Sequence, residues 1–251
     1  MKVVLTIAGS DSSAGAGIQA DIKSACYHKV FMCSAITAIT AQNSLGVSSA
    51  VVLEPSFVIK QIKSVIDDFK VDCIKIGMLS SKELIIEVFN LIKDFDIPVI
   101  LDPVAISRAG SKLINDEAVE VLKDMFKYAL LITPNSMEAR LFFGVNSIED
   151  IKNLKDIPTN IVFKNIDKNS NKAVDVLLTK DGNIKIFESK MASTLNTHGT
   201  GCSFSASIAS LIAREFSLED SIKLAKEYIY KAISNAPNFG KGNGPINHIL
   251  D

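Results

Sequence analysis

The residue types best suited to chemistry lie together at residues 196–202, which read Asn-Thr-His-Gly-Thr-Gly-Cys. Helical spacing follows them, with Ile208, Leu211 and Ile212 on one face. The start of a helix presents unpaired backbone N–H groups and partial positive charge, and glycines let an anion approach them closely. Residues 199–202 are therefore predicted to form an anion-binding turn with a thiol, Cys202, at its edge. The alternative is an ordinary glycine turn before a buried helix.

The elements that must position this turn follow from apolar runs that alternate with helical patterns. The predicted strands of the first half are residues 3–8, 31–40, 71–76, 98–101 and 129–132. The predicted helices there are residues 17–29, 56–69, 82–93 and 116–127, with another near residue 137. This alternation is typical of an α/β fold with a mostly parallel central sheet and helices on both faces.

Polar residues or glycine follow several of these strands, namely Gly9, Gln42, Asp102 and Asn135. In open α/β sheets, ligands bind outside the carboxyl ends of the strands. We therefore expect these four residues, which are distant in sequence, to gather at one edge of the sheet.

The pattern changes after about residue 155. Short strands are predicted at residues 160–164, 174–178 and 184–188, and the turn Lys180-Asp181-Gly182-Asn183 favours a hairpin between the last two. A helix from Thr200 follows, and then a long helix over residues 217–236 with Ser217 as its N-cap. Without a repeat or linker, residues 1–251 are predicted to form one domain.

Composition excludes several function classes. The chain has 251 residues, 47% of them hydrophobic, and a net charge of −1, which offers no electrostatic basis for binding nucleic acid. Its four cysteines lack metal-site or disulfide spacing and favour a reducing compartment. Residues 1–7 are too short for a signal peptide and no run reaches membrane-spanning length, so we expect a cytoplasmic protein without a membrane partner.

Two known phosphate-binding motifs are not supported by the sequence. Residues 15–20 fit G-x-G-x-x-A, the dinucleotide-binding fingerprint, but no acidic residue follows the next strand before Glu54. The spacing between Gly9 and Gly15 is also too long for the tight turn of that motif. A Walker A loop is excluded because Gly-Lys-Ser/Thr does not occur.

Residues 196–202 resemble the D-T-x-G-x-G-D signature of ribokinase-like kinases, with Asn196 and Cys202 at the two Asp positions, a variant typical of vitamin kinases. Further blocks resemble the same family in order: residues 9–11, 14–21, 37–43, 75–79, 102–104, 133–139 and 242–248. The chain is most similar to the hydroxymethylpyrimidine/phosphomethylpyrimidine kinases of thiamine synthesis. Bacterial pyridoxal kinases share most blocks but tend to have Met in place of Gln42.

This resemblance implies a ribokinase-like fold, usually dimeric, that uses ATP and Mg²⁺. It implies phosphorylation of 4-amino-5-hydroxymethyl-2-methylpyrimidine, a small-molecule substrate, and then of its monophosphate. The close alternative is a pyridoxal kinase. A vitamin- or nucleotide-binding protein without activity and an oxidoreductase are the alternatives from other classes.

The expected phosphoryl site follows from this resemblance and from the turn itself. The backbone N–H groups of Gly199, Thr200, Gly201 and Cys202 would stabilise charge on the transferring group. Cys202 replaces the family's usual Asp base, and the helix start is expected to lower its thiol pKa toward neutrality. His198, inside the turn, is expected to make a structural hydrogen bond.

The expected substrate residues are Gln42, Asp21, Gly9 and Met78. The Gln42 amide offers a donor and an acceptor, which complement the ring nitrogen and exocyclic amine of an aminopyrimidine. By resemblance, Asp21 contacts the hydroxymethyl group, and Gly9 and Met78 line the pocket.

Four residues are expected to bind the nucleotide and the metal ion. Asp102 and Glu138 are the carboxylates expected to hold Mg²⁺ through water, and Asn135 and Lys164 are expected to meet ATP phosphates. Where the family usually has the block Lys-Gly-Gly-His, this chain has Lys-Asn-Ile-Asp at residues 164–167. Residues 104–112 and 165–172 are candidate lids on composition.

Overall fold

A computed structural model describes residues 1–106, 114–167 and 171–250 of the chain. Both candidate lids, residues 104–112 and 165–172, lie partly outside these described residues. Within them, no helix combines the length and the apolar character that crossing a lipid bilayer requires.

One sheet runs through the described part of the chain. Its strands are β1 (Val3–Asp11), β2 (Phe31–Asn43), β3 (Gly46–Val52), β4 (Cys73–Ile76), β5 (Val99–Leu101), β6 (Leu131–Ile132), β7 (Asn160–Phe163), β8 (Lys172–Leu178) and β9 (Ile184–Lys190). The helices are α1 (Gly17–Tyr27), α2 (Pro55–Ile66), α3 (Lys82–Ile92), α4 (Asp116–Met125), α5 (Ser136–Phe143), α6 (Ile148–Asn153), α7 (Thr200–Ala213) and α8 (Leu218–Ser234). A single 3-10 turn, Phe126–Tyr128, follows α4.

The strand order is β3-β2-β1-β4-β5-β6-β7-β8-β9. Neighbours from β2 to β7 pair in parallel, and antiparallel pairs occur at the two sides of the sheet, where β3 joins β2 and where β8 and β9 follow β7. The predicted mostly parallel sheet is confirmed, and so is the β8–β9 hairpin. Because parallel strands share one direction, their carboxyl ends meet at the same edge.

Helices cover both faces of the sheet because its central strands are apolar on both sides. Leu5 and Ile7 of β1 belong to one buried cluster, together with residues of α2, α3, α4, α5 and α6. Val4 points the other way, into a second cluster with residues of α1, α7 and α8. Alternate residues of one strand thus enter two cores, which explains the continuous apolar runs of the sequence.

The sequence pattern missed two elements. Strand β3 is exposed along its whole length, so its residues show no alternation between buried and exposed positions. Helix α6 has only six residues, and its start is fixed by a capping box between Ser147 and Asp150 rather than by a long apolar face.

Two of the three histidines lie in a cluster between α1 and α8. His28 is buried, and its ring packs edge-on against Tyr27 and Tyr228. The Tyr228 hydroxyl lies 2.7 Å from Nδ1 of His248. Burial lowers the pKa of each histidine to about 4, and the nearby charge of Arg214 also lowers that of His28.

Protonation of His28 should weaken the fold in mild acid. Its pKa of about 4 lies below the ordinary value of 6.5, so the unfolded chain binds more protons between these pH values. This stability is present above pH 6.5 and is lost as the pH falls toward 4. Relative to His28→Phe, the wild type should lose about 2 kcal/mol of unfolding free energy between pH 7 and pH 5. Urea unfolding of both proteins measures this, and an equal difference at the two pH values would contradict it.

Candidate active site

The predicted anion-binding turn forms at the start of α7. The helix begins at Thr200, and its N-cap, Gly199, has a left-handed φ of +83°. A Cβ at Gly199 would collide with the carbonyl oxygen of Gly15. No side chain of the described residues caps this helix, which is the condition that lets a helix start bind an anion; the Thr200 N–H makes one long backbone contact, 3.4 Å to the carbonyl oxygen of Thr197.

His198 joins this turn to the loop after β1. Its Nε2 lies 2.8 Å from Oδ2 of Asp11, and its ring packs directly against Gly15. Asp11 also accepts hydrogen bonds from the backbone N–H groups of Ser13, Gly15 and Ala16. The expected structural hydrogen bond of His198 is therefore confirmed, and Asp11, which the sequence did not single out, is its partner.

The carboxyl ends of β5, β6 and β7 meet the same turn. Lys164 Nζ lies 2.8 Å from Oδ1 of Asp102, which also accepts a hydrogen bond from Thr133. A Cβ built on Gly201 would lie 3.5 Å from the Lys164 ammonium and 3.6 Å from Oδ2 of Asp102. Of the four residues expected to gather at this edge, Asp102 lies at the turn, where Lys164 and Gly201 join it.

Glu138 and Asn135 cap α5 beside this ion pair. The Asn135 side chain accepts from the N–H of Glu138, and Glu138 Oε2 accepts from the N–H of Asn135 at 2.9 Å. Burial and the charge of Asp102 raise the pKa of Glu138 to about 7, although Lys164 opposes this. Burial would also raise the pKa of Asp102, but the charges of Lys164 and Lys75 hold it below its usual range.

A buried ion pair under the turn was missed by the sequence reasoning. Lys75 Nζ lies 2.8 Å from Oδ2 of Asp21, and both side chains are 0% exposed. Thr6 Oγ1 donates a further hydrogen bond to the same Asp21 oxygen at 2.6 Å. Burial alone would lower the pKa of Lys75, but the charges of Asp21, Cys202 and Asp102 raise it. A lysine between isoleucines of a buried strand was the available sequence signal.

The pair gives Asp21 a contact that was not expected of it, whereas its predicted contact with the substrate hydroxymethyl group stays a prediction. In this structure the carboxylate is enclosed, its Oδ2 is bound to Lys75 and Thr6, and its Oδ1 has no hydrogen-bond partner among the described residues. Asp21 places a lysine charge beneath the turn, close enough to affect the Cys202 thiol.

The pKa expected of Cys202 is wrong in direction. Burial raises the pKa of the thiol to about 11, and the carboxylates of Asp21 and Asp102 act in the same direction. Lys75 and the backbone N–H of Gly17 lower the pKa of the thiol, but not enough to offset burial. Reasoning from the helix start alone omitted the two carboxylates that folding brings beside the sulfur.

The remaining predicted substrate residues lie at the ends of β1, β2 and β4. The Met78 methyl group would touch a Cβ at Gly9, 2.8 Å away, so these two residues are in contact. The amide of Gln42 lies 3.3 Å from Nε2 of His198, which connects the end of β2 to the anion-binding turn.

Asn165 supplies the backbone shape where the family usually has glycine. It has a left-handed φ of +47°, which asparagine tolerates better than most residues. Its N–H donates to Oδ1 of Asp175 at 2.8 Å, and Asp175 also pairs with Lys226. The next residue, Ile166, is buried in the core, so this segment is held by packing rather than by glycines.

Substitutions of Asn165 should separate the effect of its left-handed backbone conformation from the effect of its side chain. Valine tolerates a left-handed φ poorly, so Asn165→Val should lower the unfolding free energy by about 1–2 kcal/mol. Asn165→Gly keeps the shape and should stay within about 0.5 kcal/mol of the wild type. Denaturant unfolding of both variants checks this, and a valine variant as stable as the glycine variant would contradict it.

Comparison with known proteins gives a consistent result. The hydroxymethylpyrimidine/phosphomethylpyrimidine kinase of Haemophilus influenzae is 39% identical over 260 residues, which cover 99% of this chain and 97% of that protein. The thiamine biosynthesis bifunctional protein ThiED of Geobacter sulfurreducens is 40% identical over 98% of this chain, which spans only 52% of that longer protein. An ADP complex of Bacillus subtilis pyridoxal kinase matches with a TM-score of 0.89 and 31% identity, over 99% of this chain and 97% of that one.

The predicted ribokinase-like fold is thus confirmed, and the relatives are phosphotransferases. The family model described as phosphomethylpyrimidine kinase matches residues 11–247, from the carboxylate that holds His198 to the loop beyond α8. The chain therefore belongs to the phosphomethylpyrimidine kinase family.

Proposed function

We propose that the protein transfers the γ-phosphoryl group of ATP to the hydroxymethyl group of 4-amino-5-hydroxymethyl-2-methylpyrimidine. It then phosphorylates the resulting monophosphate to the diphosphate, as in thiamine biosynthesis. The observation that carries this proposal is the uncapped start of α7 next to Lys164 on one side and Gln42 on the other. That arrangement supports an anion site and an amide that can recognise an aminopyrimidine at one edge of the sheet.

Phosphoryl transfer depends chiefly on positioning and on stabilising charge that spreads over the equatorial oxygens. The backbone N–H groups of Gly199, Thr200, Gly201 and Cys202 supply that stabilisation. Lys164 adds a full positive charge, because Asp102 and Glu138 raise its pKa although burial alone would lower it. In its thiolate form Cys202 receives the substrate hydroxyl proton as the hydroxyl oxygen bonds to the γ-phosphorus and the bond from that phosphorus to ADP breaks.

ATP and Mg²⁺ fit the remaining residues. Asp102 and Glu138 would hold the ion, since burial and the charge of Asp102 both raise the pKa of Glu138 and a cation would offset that unfavourable charge. Among the described residues no group of three His, Cys, Asp or Glu side chains could enclose a metal. This suits Mg²⁺, which keeps several waters and binds through one or two carboxylates and substrate phosphates. When bound, the ion would neutralise phosphate charge, and Asn135, the N-cap of α5, would meet the ATP phosphates.

The second candidate function is pyridoxal phosphorylation. The close structural match to the pyridoxal kinase of Bacillus subtilis favours it. Gln42 favours the aminopyrimidine, because a methionine at this position cannot pair with a ring nitrogen and an exocyclic amine together.

The test is ATP consumption by the purified protein with hydroxymethylpyrimidine, its monophosphate and pyridoxal, assayed in parallel. We expect turnover of both pyrimidines, and a Gln42→Met variant that loses pyrimidine turnover more than pyridoxal turnover. Turnover of pyridoxal alone would contradict the role of Gln42 as the residue that recognises the aminopyrimidine. No turnover of any substrate would favour a binding protein without activity.

We further propose a homodimer formed through the β2–β3 hairpin. This edge of the sheet exposes apolar side chains, with Leu45 70%, Val47 54% and Val51 61% accessible. An uncovered edge strand bearing such residues is a pairing surface. Light scattering after size exclusion should give twice the chain mass for the wild type and the chain mass for Val51→Lys, and a monomeric wild type would contradict this.

The chain as a whole, residues 1–251, is proposed to act as one cytoplasmic domain. One sheet continues through the described residues from β3 to β9. All four cysteines are free thiols, the state that a reducing compartment favours.

A further inference from the structure

Polar side chains with no direct part in phosphoryl transfer surround the Gln42 amide. His198 Nε2 lies 3.3 Å from the end of the amide that carries Nε2, and Thr40 Oγ1 lies 3.2 Å from the end that carries Oε1. Beyond them, His198 Nε2 is 2.8 Å from Oδ2 of Asp11, and Thr40 Oγ1 is 2.9 Å from the carbonyl oxygen of Ser10. The five residues form a continuous chain of polar contacts.

At the Asp11 end of these contacts, the position of the His198 imidazole proton is fixed. Burial would raise the pKa of Asp11, but hydrogen bonds from His198 and Ser13 outweigh it and hold the pKa at about 2. Asp11 is therefore an acceptor only, and the short contact with His198 requires the imidazole proton on Nε2. The edge of the imidazole that faces Gln42 is consequently a donor.

This donor decides which way round the Gln42 amide lies. An amide nitrogen facing His198 would set two N–H donors against each other, whereas the amide oxygen can share the Nε2 proton with Asp11 as the second, longer branch of a bifurcated hydrogen bond. Thr40, which contacts the other end of the amide, favours the same orientation. Its hydroxyl has one proton for two contacts, 2.9 Å to the Ser10 carbonyl oxygen and 3.2 Å to Gln42. The shorter contact takes the proton, which leaves the Thr40 oxygen as an acceptor toward Gln42. Both neighbours favour the amide oxygen toward His198 and the amide nitrogen toward Thr40.

We propose that Asp11 and His198 are positioning residues that hold the Gln42 amide in this orientation and so fix which way round an aminopyrimidine binds. This inference rests on the proposed function. The exocyclic amine must then lie on the His198 side, and the ring nitrogen on the Thr40 side. In the substrate the amine-bearing carbon lies between that nitrogen and the carbon bearing the hydroxymethyl group. The hydroxymethyl group is therefore directed past His198 toward residues 199–202, and the reversed amide would direct it away.

The histidine tautomer tests the orientation without any substrate. Long-range proton–nitrogen correlation of ¹⁵N-labelled wild type should show His198 with its proton on Nε2. His198→Gln, which removes the imidazole signals but keeps an N–H near Asp11, assigns the resonance. A proton on Nδ1 alone would overturn the proposal, because Gln42 would then face an acceptor.

Substrate preference tests the consequence. The assay compares kcat/KM for hydroxymethylpyrimidine and for the analogue that lacks the exocyclic amine. In His198→Leu the preference for the amine should fall by about tenfold or more, since the amide is free to turn. His198→Gln should recover most of the preference. Ser13→Ala, which removes another hydrogen bond to Asp11 without touching the imidazole, should leave it unchanged.

A variant pair separates positioning from general disruption. In a Gln42→Met background, His198→Leu should change the preference by less than about twofold, because no amide remains to orient. Equal losses of kcat for both substrates in His198→Leu, or an unchanged effect in the Gln42→Met background, would overturn the proposal. If the wild type turns over neither pyrimidine, the proposed function fails and substrate placement fails with it, while the tautomer still decides the amide orientation.

Discussion

Cys202→Ala should lower kcat by about a hundred- to ten-thousandfold, the usual contribution of a general base. Binding of ADP, measured by calorimetry, should change little, because the backbone N–H groups of the turn remain. The wild type should also show a rate that rises with pH above neutrality. The pKa of the thiol is raised to about 11 by burial and by the nearby carboxylates, so its deprotonated fraction grows tenfold per pH unit.

Two variants make this prediction sharper. Cys202→Asp restores the family's usual base and should give a rate that levels off at lower pH, because a carboxylate ionises more readily than a thiol. Cys26→Ala, which removes an exposed thiol in α1, is the matched control and should behave as the wild type. A Cys202→Ala enzyme with full turnover would remove the assignment of the base.

Lys75→Met should cost about 3–5 kcal/mol of unfolding free energy, since it leaves the buried Asp21 carboxylate without a compensating charge. It should also slow turnover near neutral pH, because the Lys75 charge lowers the pKa of the Cys202 thiol. Denaturant unfolding and pH–rate profiles of the purified variant measure the two effects.

The double variant Asp21→Leu/Lys75→Met tests the pair as a unit. Replacing both charges with apolar groups should restore most of the stability, as it often does for buried ion pairs. It should leave KM for the pyrimidine nearly unchanged, because the Asp21 carboxylate is enclosed. A large rise in KM without loss of stability would return Asp21 to direct substrate contact.

Local sequence signals predicted the parts of the site that depend on backbone. Two glycines and a helical pattern were enough to place the start of α7 at Thr200. The rule that parallel strands end at one edge was enough to bring Asp102 and Lys164 to that helix. These predictions rest on chain direction and periodicity, which are properties of short segments.

The parts that failed depend on what folding brings together. The raised pKa of Cys202 comes first from burial and then from Asp21 and Asp102, which lie 181 and 100 residues earlier in the chain. The contact of His198 with Asp11 and Gln42 joins three segments that no single pattern connects. Strand β3 escaped notice because its side chains are exposed and carry no alternation.

The most direct test of the central claim is a crystal structure with ADP, fluoroaluminate, Mg²⁺ and hydroxymethylpyrimidine bound together. The account predicts the fluoroaluminate group within hydrogen-bond distance of the backbone nitrogens of residues 199–202, and the pyrimidine edge against Gln42. The Cys202 sulfur should lie beside the hydroxymethyl oxygen. Fluoroaluminate bound elsewhere, for example in the surface hollow lined by Ser136, Arg140 and Asn146, would contradict the account.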